Sequence, residues 1–268
     1  MLHHASARPS AGSAGVVLSE AHAIDELREV SALLESVWGR TPEGAPMHSD
    51  TMRSLVHAGG LVSVARDAAG ATGAGAMVGA AVLVRDEPGR AYGIIAAAAP
   101  GMSDRGIGFA LKRHQRDWCL AHGIGEIRWT FDPLMARNAR FNLSKLGAVA
   151  LAYEESFYGE MIDDINRGDD SDRLVASWVL DAEPRPEPAD PGLPPASPDA
   201  PVVRDERGTW IGIPRDIDDL RVADPASAVR WRHAVRDAML PLFARGDRAV
   251  GFTRSGHYLM EANIEASS

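Results

Sequence analysis

Residues 101 to 108 read Gly-Met-Ser-Asp-Arg-Gly-Ile-Gly, with Gly106 and Gly108 two residues apart at the start of a helical pattern. Glycine lets a ligand approach the backbone with no Cβ in the way. The first N–H groups of a helix have no partner inside it, and with the helix dipole behind them they form a site for a phosphate or pyrophosphate. Arg105, Gly106, Ile107, Gly108 and Phe109 would present those groups. Lys112 and Arg113, one turn further on, either meet phosphates or lie on a solvated helix face. The competing reading of Gly-x-Gly is a tight turn, or close packing of helix on sheet. The nine histidines show no spacing of the His-Glu-x-x-His kind, so no catalytic metal is expected. Cys119 lies mid-helix beside Trp118 and reads as a buried structural thiol rather than a nucleophile.

The elements that must position this stretch follow from periodicity. Ile94 to Ala99 is an uninterrupted apolar run closed by Pro100-Gly101, which predicts a short strand buried on both faces. A helix starts near Arg105 or Gly106, with Ile107, Ala110, Leu111 and Trp118 on one side and Lys112, Arg113, Arg116 and Asp117 on the other. Upstream, a strand at 16–18, a helix at 23–38, a helix capped by Ser49 or Asp50, and two antiparallel strands at 61–65 and 76–84 are expected. Downstream come a strand at 127–131 stopped by Asp132-Pro133, a helix at 138–146 that Asn138 could cap, and strands at 148–153 and 174–180. This is an α/β (α+β) mixture around one mostly antiparallel central sheet flanked by helices.

The string from Ala98 to Lys112, followed by Asn138 to Val149, resembles the acyl-CoA-binding core of the GNAT acyltransferases, whose signature is a strand and then Arg/Gln-x-x-Gly-x-Gly/Ala opening a helix. Gly106 and Gly108 match the two glycines, and Ser103 stands where Arg or Gln is usual. The resemblance covers residues 16 to 182, and Trp129 to Val149, Phe157 to Met161 and Ser171 to Leu180 resemble a subfamily with a C-terminal extension. It implies acetyl-CoA or another acyl-CoA as donor. Ala98 and Ser103 would join residues 105–109 and Lys112 in holding it, Ala98 by pairing with the pantetheine amides. Asn138, Asn142 and Lys145 would add polar contacts. The implied reaction moves an acetyl or succinyl group to the primary amine of a small molecule, by direct attack in a ternary complex. Many relatives protonate the leaving thiolate with a tyrosine, but the aligned position here is Leu143, which leaves Tyr153, Tyr158 or a water to substitute. For the base the candidates are Glu154, Glu155, Asp132, His48 and His57, of which Glu154 is taken forward. Phe157, Tyr158, Trp129 and Trp38 either line an acceptor pocket or belong to the core. The alternative function is a non-catalytic acyl-CoA-binding or regulatory module.

Composition bounds the rest. A chain of 268 residues with 45% hydrophobic content can build a full domain and a smaller unit. A formal net charge of -9 argues against nucleic acid or an anionic membrane surface as partner. One cysteine allows no intrachain disulfide and suits a reducing cytoplasm. Residues 1–15 are small and polar and read as a disordered tail. Eight of the nineteen residues from Glu183 to Pro201 are proline, which predicts an extended linker. Residues 202–268 form a small α/β extension whose helix at 226–243 sets Val229, His233, Arg236 and Leu240 near one stripe. This extension is expected to pack on the first domain or on a partner subunit, a homodimer being the second case.

Overall fold

A computed structural model describes residues 10–12, 15–40, 44–68, 75–102, 105–159, 170–183, 185–190, 192–193 and 195–262. The chain divides into two compact units, Met1–Ile127 and Arg128–Ser268. The division falls inside a strand rather than in the proline-rich segment.

The first unit holds β1 (Ser10–Gly12), β2 (Val16–Glu20), α1 (Ile24–Trp38), α2 (Ser49–His57), β3 (Leu61–Asp67), β4 (Met77–Arg85), β5 (Arg90–Ala98) and α3 (Ile107–Ala121). Its strands follow chain order and each pairs antiparallel with the next. Part of the expected tail, Ser10–Gly12, thus pairs with β2. Side chains alternate between the two faces of a strand. Val62, Val64, Ala80 and Val82 pack with Leu27, Val30, Leu34 and Met52 of α1 and α2. Ala65, Val78 and Ala81 pack with Ile107, Ala110 and Leu111 of α3.

Two readings of this unit need correction. β5 is not buried on both faces: Ile94 and Ile95 are half-buried and Ala96 is exposed. Alanine carries too little surface for its polarity to report burial. Lys112 is not on the solvated side of α3 but is buried on the stripe with Leu111, Gln115 and Cys119. Its long apolar stem allows that position.

The second unit holds β6 (Glu126–Phe131) from Arg128 onward, α4 (Ala136–Ala139) running into a π-helical turn (Arg140–Lys145), β7 (Val149–Glu154), β8 (Arg173–Val179), β9 (Val202–Asp205), β10 (Gly208–Gly212), α5 (Ile217–Ala223), α6 (Pro225–Ala244), β11 (Arg248–Phe252) and β12 (His257–Glu261). The strand order is β6-β8-β7-β11-β12-β10-β9, and the pairs from β8 to β9 are antiparallel. Both units are therefore mixed α/β, with mostly antiparallel strands flanked by helices. The helix expected at 138–146 starts two residues earlier, after Met135, so Asn138 is not its cap. Asp132 instead accepts from the Leu134 N–H at 2.9 Å and makes the turn.

Residues 202–261 pack on residues 128–180 and are joined to them by polar contacts. The Tyr258 hydroxyl donates to the Pro133 carbonyl at 2.7 Å, and Ser144 Oγ donates to the Phe252 carbonyl at 2.7 Å. The proline-rich segment lies along the same strands: a Cβ on Gly251 would meet Pro188 at 2.8 Å, and one on Gly212 would meet Ala196 at 2.2 Å. Leu193 covers the cluster of Trp210, Val250 and Leu259.

The buried row of α6 is Ala228, Trp231, Arg232, Val235, Met239 and Leu242. This corrects the expected stripe, since His233 and Val229 are exposed. Two arginines belong to the inner side of the helix. Arg232 grips Asp132 through both carboxylate oxygens at 2.7 and 3.0 Å, and Arg221 of α5 adds a contact at 2.8 Å. Removing one partner of a buried pair leaves the other charged and desolvated. Arg232→Met should therefore cost about 3–5 kcal/mol, read as a lower urea midpoint; an unchanged midpoint would show that Arg221 alone satisfies Asp132.

Candidate functional site

The start of α3 is built by a close approach. Gly79 of β4 faces it, and a Cβ there would lie 2.5 Å from Ile107 Cγ2 and 3.2 Å from Leu111 Cδ1. The absent side chain lets the first turn of the helix settle on the strand. β5 ends at Ala98, which is paired with Gly79, and the Ala99 N–H donates to Val78. Gly101 has φ +77°, and the Met102 N–H donates back to Ala99 at 3.0 Å. Gly106 then takes φ +76°, a left-handed conformation that favours glycine, as the residue before the helix. The Ala110 N–H bonds the Gly106 carbonyl at 3.0 Å, so the helical ladder begins there and the N–H groups of residues 107–109 precede it.

Of the residues expected to hold a cofactor, Ala98, Arg105, Gly106, Ile107, Gly108 and Phe109 lie together at this strand-to-helix junction, while Ser103 lies outside the described residues. The Arg105 side chain is exposed and reaches Met102 Sδ at 3.2 Å. Burial lowers the Lys112 ammonium pKa to about 7. Burial likewise pushes the Cys119 thiol up to about 12, with Lys112 opposing, so the thiolate is suppressed.

The other candidates belong to the second unit. Asn138 and Lys145 are exposed, Asn142 is buried with its carbonyl accepting from Ala148, and Leu143 is buried. Tyr153, Glu154 and Tyr158 sit at the end of β7 and in the turn after it. The Tyr153 hydroxyl is buried and donates to Asp172 Oδ2 at 2.5 Å. Burial and that bond raise its pKa, so the phenol holds its proton tightly. Glu154 and Tyr158 are exposed. The Tyr158 ring stands edge-on to Phe157 at 4.7 Å, under the Arg173 guanidinium at 5.2 Å, and its hydroxyl is 3.5 Å from Thr130 Oγ1. Trp129 instead meets Trp178 edge-on inside the unit and is core. His48 and His57 are exposed on the first unit.

Two carboxylates at strand ends organise this unit. Burial pushes the Asp132 carboxyl up, but Arg232 and then Arg221 outweigh it and hold the group well below the usual range. Such an acid has no basicity to offer as a general base. Asp172, fully buried at the start of β8, is raised by burial and brought below normal by Arg236, Tyr153 and the Ser156 N–H. Neither aspartate's partners could be inferred from spacing, because Arg221, Arg232 and Arg236 lie 64 to 100 residues away. Among the described residues no group of three or more His, Cys, Asp or Glu is placed to hold a metal ion, and no helix is long and apolar enough to cross a membrane.

No family model and no curated protein matches the chain. Solved structures do resemble it. One is a GNAT superfamily phosphinothricin acetyltransferase from Sinorhizobium meliloti in complex with AcCoA, 18% identical, covering 64% of this chain and 94% of that one at a TM-score of 0.49. Another is the ribosomal-protein-S18-alanine N-acetyltransferase from Escherichia coli, 15% identical, covering 63% and 96% at 0.48. A third is an acetyltransferase of the GNAT family from Streptococcus pneumoniae, 17% identical, covering 61% and 98% at 0.45. At such identity the likeness is one of fold alone.

A carboxylate with a depressed pKa stabilises the fold above its unfolded pKa, near 4, and that contribution is lost as pH falls toward the folded value. Asp132 and Asp172 are both depressed. The urea midpoint should therefore fall as pH drops from 5 to 3, and Asp132→Asn, less stable at pH 5, should show the shallower fall. Parallel profiles would mean that Asp132 is not ionised in the folded protein.

Proposed function

We propose that the protein is an acyl-CoA-dependent N-acyltransferase that moves an acetyl or succinyl group to the primary amine of a small molecule in a ternary complex. The observation that carries this reading is the junction between β5 and α3, where a left-handed Gly106 and a helix start seated on Gly79 coincide with the Gly-x-Gly of the acyl-CoA signature. The N–H groups of residues 106–109 would take the pyrophosphate, Arg105 and Ser103 would border it, and Ala98 would meet the pantetheine amides. Lys112 reaches a phosphate only if its side chain leaves the interior. Asn142, buried with its carbonyl bonded to the Ala148 N–H, would hold the helix that carries Asn138 and Lys145.

In the reaction the amine nitrogen attacks the thioester carbonyl, the C–N bond forms, the C–S bond breaks, and the amine's proton is lost as the thiolate gains one. Glu154 is the proposed base. Tyr158 suits the thiolate better than Tyr153, whose proton is committed to Asp172. That commitment, with Leu143 in the place of the usual tyrosine, also favours the second reading, a module that binds acyl-CoA without turnover.

Gly108 lies inside the first turn of α3 and is not among the positive-φ glycines, so valine fits the helix backbone there, whereas Gly106→Val would strain it as well. Gly108→Val should leave the thermal midpoint within a few degrees and weaken CoA binding at least a hundredfold by isothermal titration. Unchanged affinity would displace the phosphate site. Binding of acetyl-CoA by the native protein with no turnover across an amine panel would select the second reading.

A further inference from the structure

We infer that Arg236 of α6 is a positioning residue for the turn that follows Glu154 and carries Tyr158, so that the C-terminal extension sets the pose of the acceptor-side groups. Arg236 Nε donates to Asp172 Oδ2 at 2.9 Å, and its Nη2 donates to Asp172 Oδ1 at 2.7 Å and to Asp170 Oδ2 at 2.6 Å. Glu155 Oε2 lies 3.7 Å from the same guanidinium. One side chain from residue 236 thus holds carboxylates on either side of the turn, from Glu155 after β7 to Asp170 and Asp172 before β8.

The grip passes to the backbone of the turn. Asp172 Oδ1, held by Arg236, accepts the Ser156 N–H at 3.0 Å. Ser156 has φ +45°, a conformation that L-residues other than glycine adopt at a cost and keep only where their surroundings impose it. The next residue back from Asp172, the fully buried Ser171, accepts the Tyr158 N–H at 2.9 Å through Oγ and donates to the Gly159 carbonyl at 2.6 Å. Its carbonyl accepts the Phe157 N–H at 3.2 Å. Three consecutive N–H groups, of Ser156, Phe157 and Tyr158, are therefore bonded to residues 171 and 172, and residue 172 is anchored to α6. Phe157 and Tyr158 are left exposed as an edge-on aromatic pair. That pair suits the ring of an arylalkylamine.

The inference rests on the reading of Glu154 and Tyr158 as acceptor-side residues, and the test separates the two. Full-length wild type, Arg236→Met, Arg236→Lys, and the milder Asp170→Asn, which removes one half-exposed contact, are compared by hydrogen exchange and by acetyl transfer from acetyl-CoA to 2-phenylethylamine. In Arg236→Met, exchange over residues 154–159 should speed at least tenfold while residues 24–38 and 92–123 stay within twofold of wild type. The KM for the amine should rise and kcat should fall, each at least tenfold, with the KM for acetyl-CoA within threefold. Arg236→Lys should recover part of both effects, and Asp170→Asn should show them in weaker form. Exchange that speeds equally across the whole second unit, or an amine KM that does not move, would overturn the positioning role. A wild type that binds no acetyl-CoA would instead overturn the transferase reading, and the acceptor role with it, whatever the exchange of the turn shows.

Discussion

A carboxylate buried at the end of β6 constrains the second unit more than any apolar contact does. Asp132 precedes Pro133, where the strand must stop, and it is almost completely enclosed. An ionised carboxylate in such a place is tolerated only with cationic partners that also satisfy its lone pairs. Arg232 and Arg221 supply them from two helices, 100 and 89 residues downstream respectively. The consequence is covalently distant and structurally local: α5 and α6 cannot detach without leaving Asp132 unpaired. The same helix places Arg236 one turn beyond Arg232, at the spacing that puts both on one side, and so a second buried carboxylate, Asp172, is gripped from the same surface.

That coupling explains why residues 202–261 are part of the second unit and not a body of their own. Charge pairs fix the register of α6, because an arginine fork meets a carboxylate in few geometries. Apolar packing then fills in around it. Ala249 of β11 pairs with Ala150 of β7, and the proline-rich segment covers Trp210, Val250 and Leu259 with Leu193. A proline-rich chain is suited to that position, since it lies extended without needing hydrogen bonds of its own and lays rings against flat glycine positions such as Gly251.

The elements most legible in the sequence were those where backbone requirement and periodicity coincide. The junction at 98–109 could be read because Gly101 and Gly106 adopt φ values that glycine serves, and because Ile107, Ala110 and Leu111 keep helical spacing. Readings went astray where a side chain has two natures. The alanines of β5 look like interior but leave Ala96 exposed. Lys112 and Arg232 look like surface, yet their stems and partners take them inside. The expected stripe of α6, Val229, His233, Arg236 and Leu240, lay one residue from the buried row and so missed Arg232 and the interface it makes. α5, β9 and β12 escaped notice because each is only four to seven residues long, too short for periodicity to stand out.

The same division separates the two halves of the candidate chemistry. Phosphate recognition by backbone N–H groups depends on chain path, and chain path at a glycine junction is written locally. Proton transfer depends on the partners of a side chain, and those are written far away. Tyr153 and Tyr158 are five residues apart and identical in type, yet one phenol is enclosed and bonded to a carboxylate that Arg236 holds, while the other stands exposed under Arg173. Desolvation and the Asp172 acceptor make the first a poor proton donor and a good structural strut. What distinguishes them is an arginine eighty residues along the chain, which no local pattern around either tyrosine could announce.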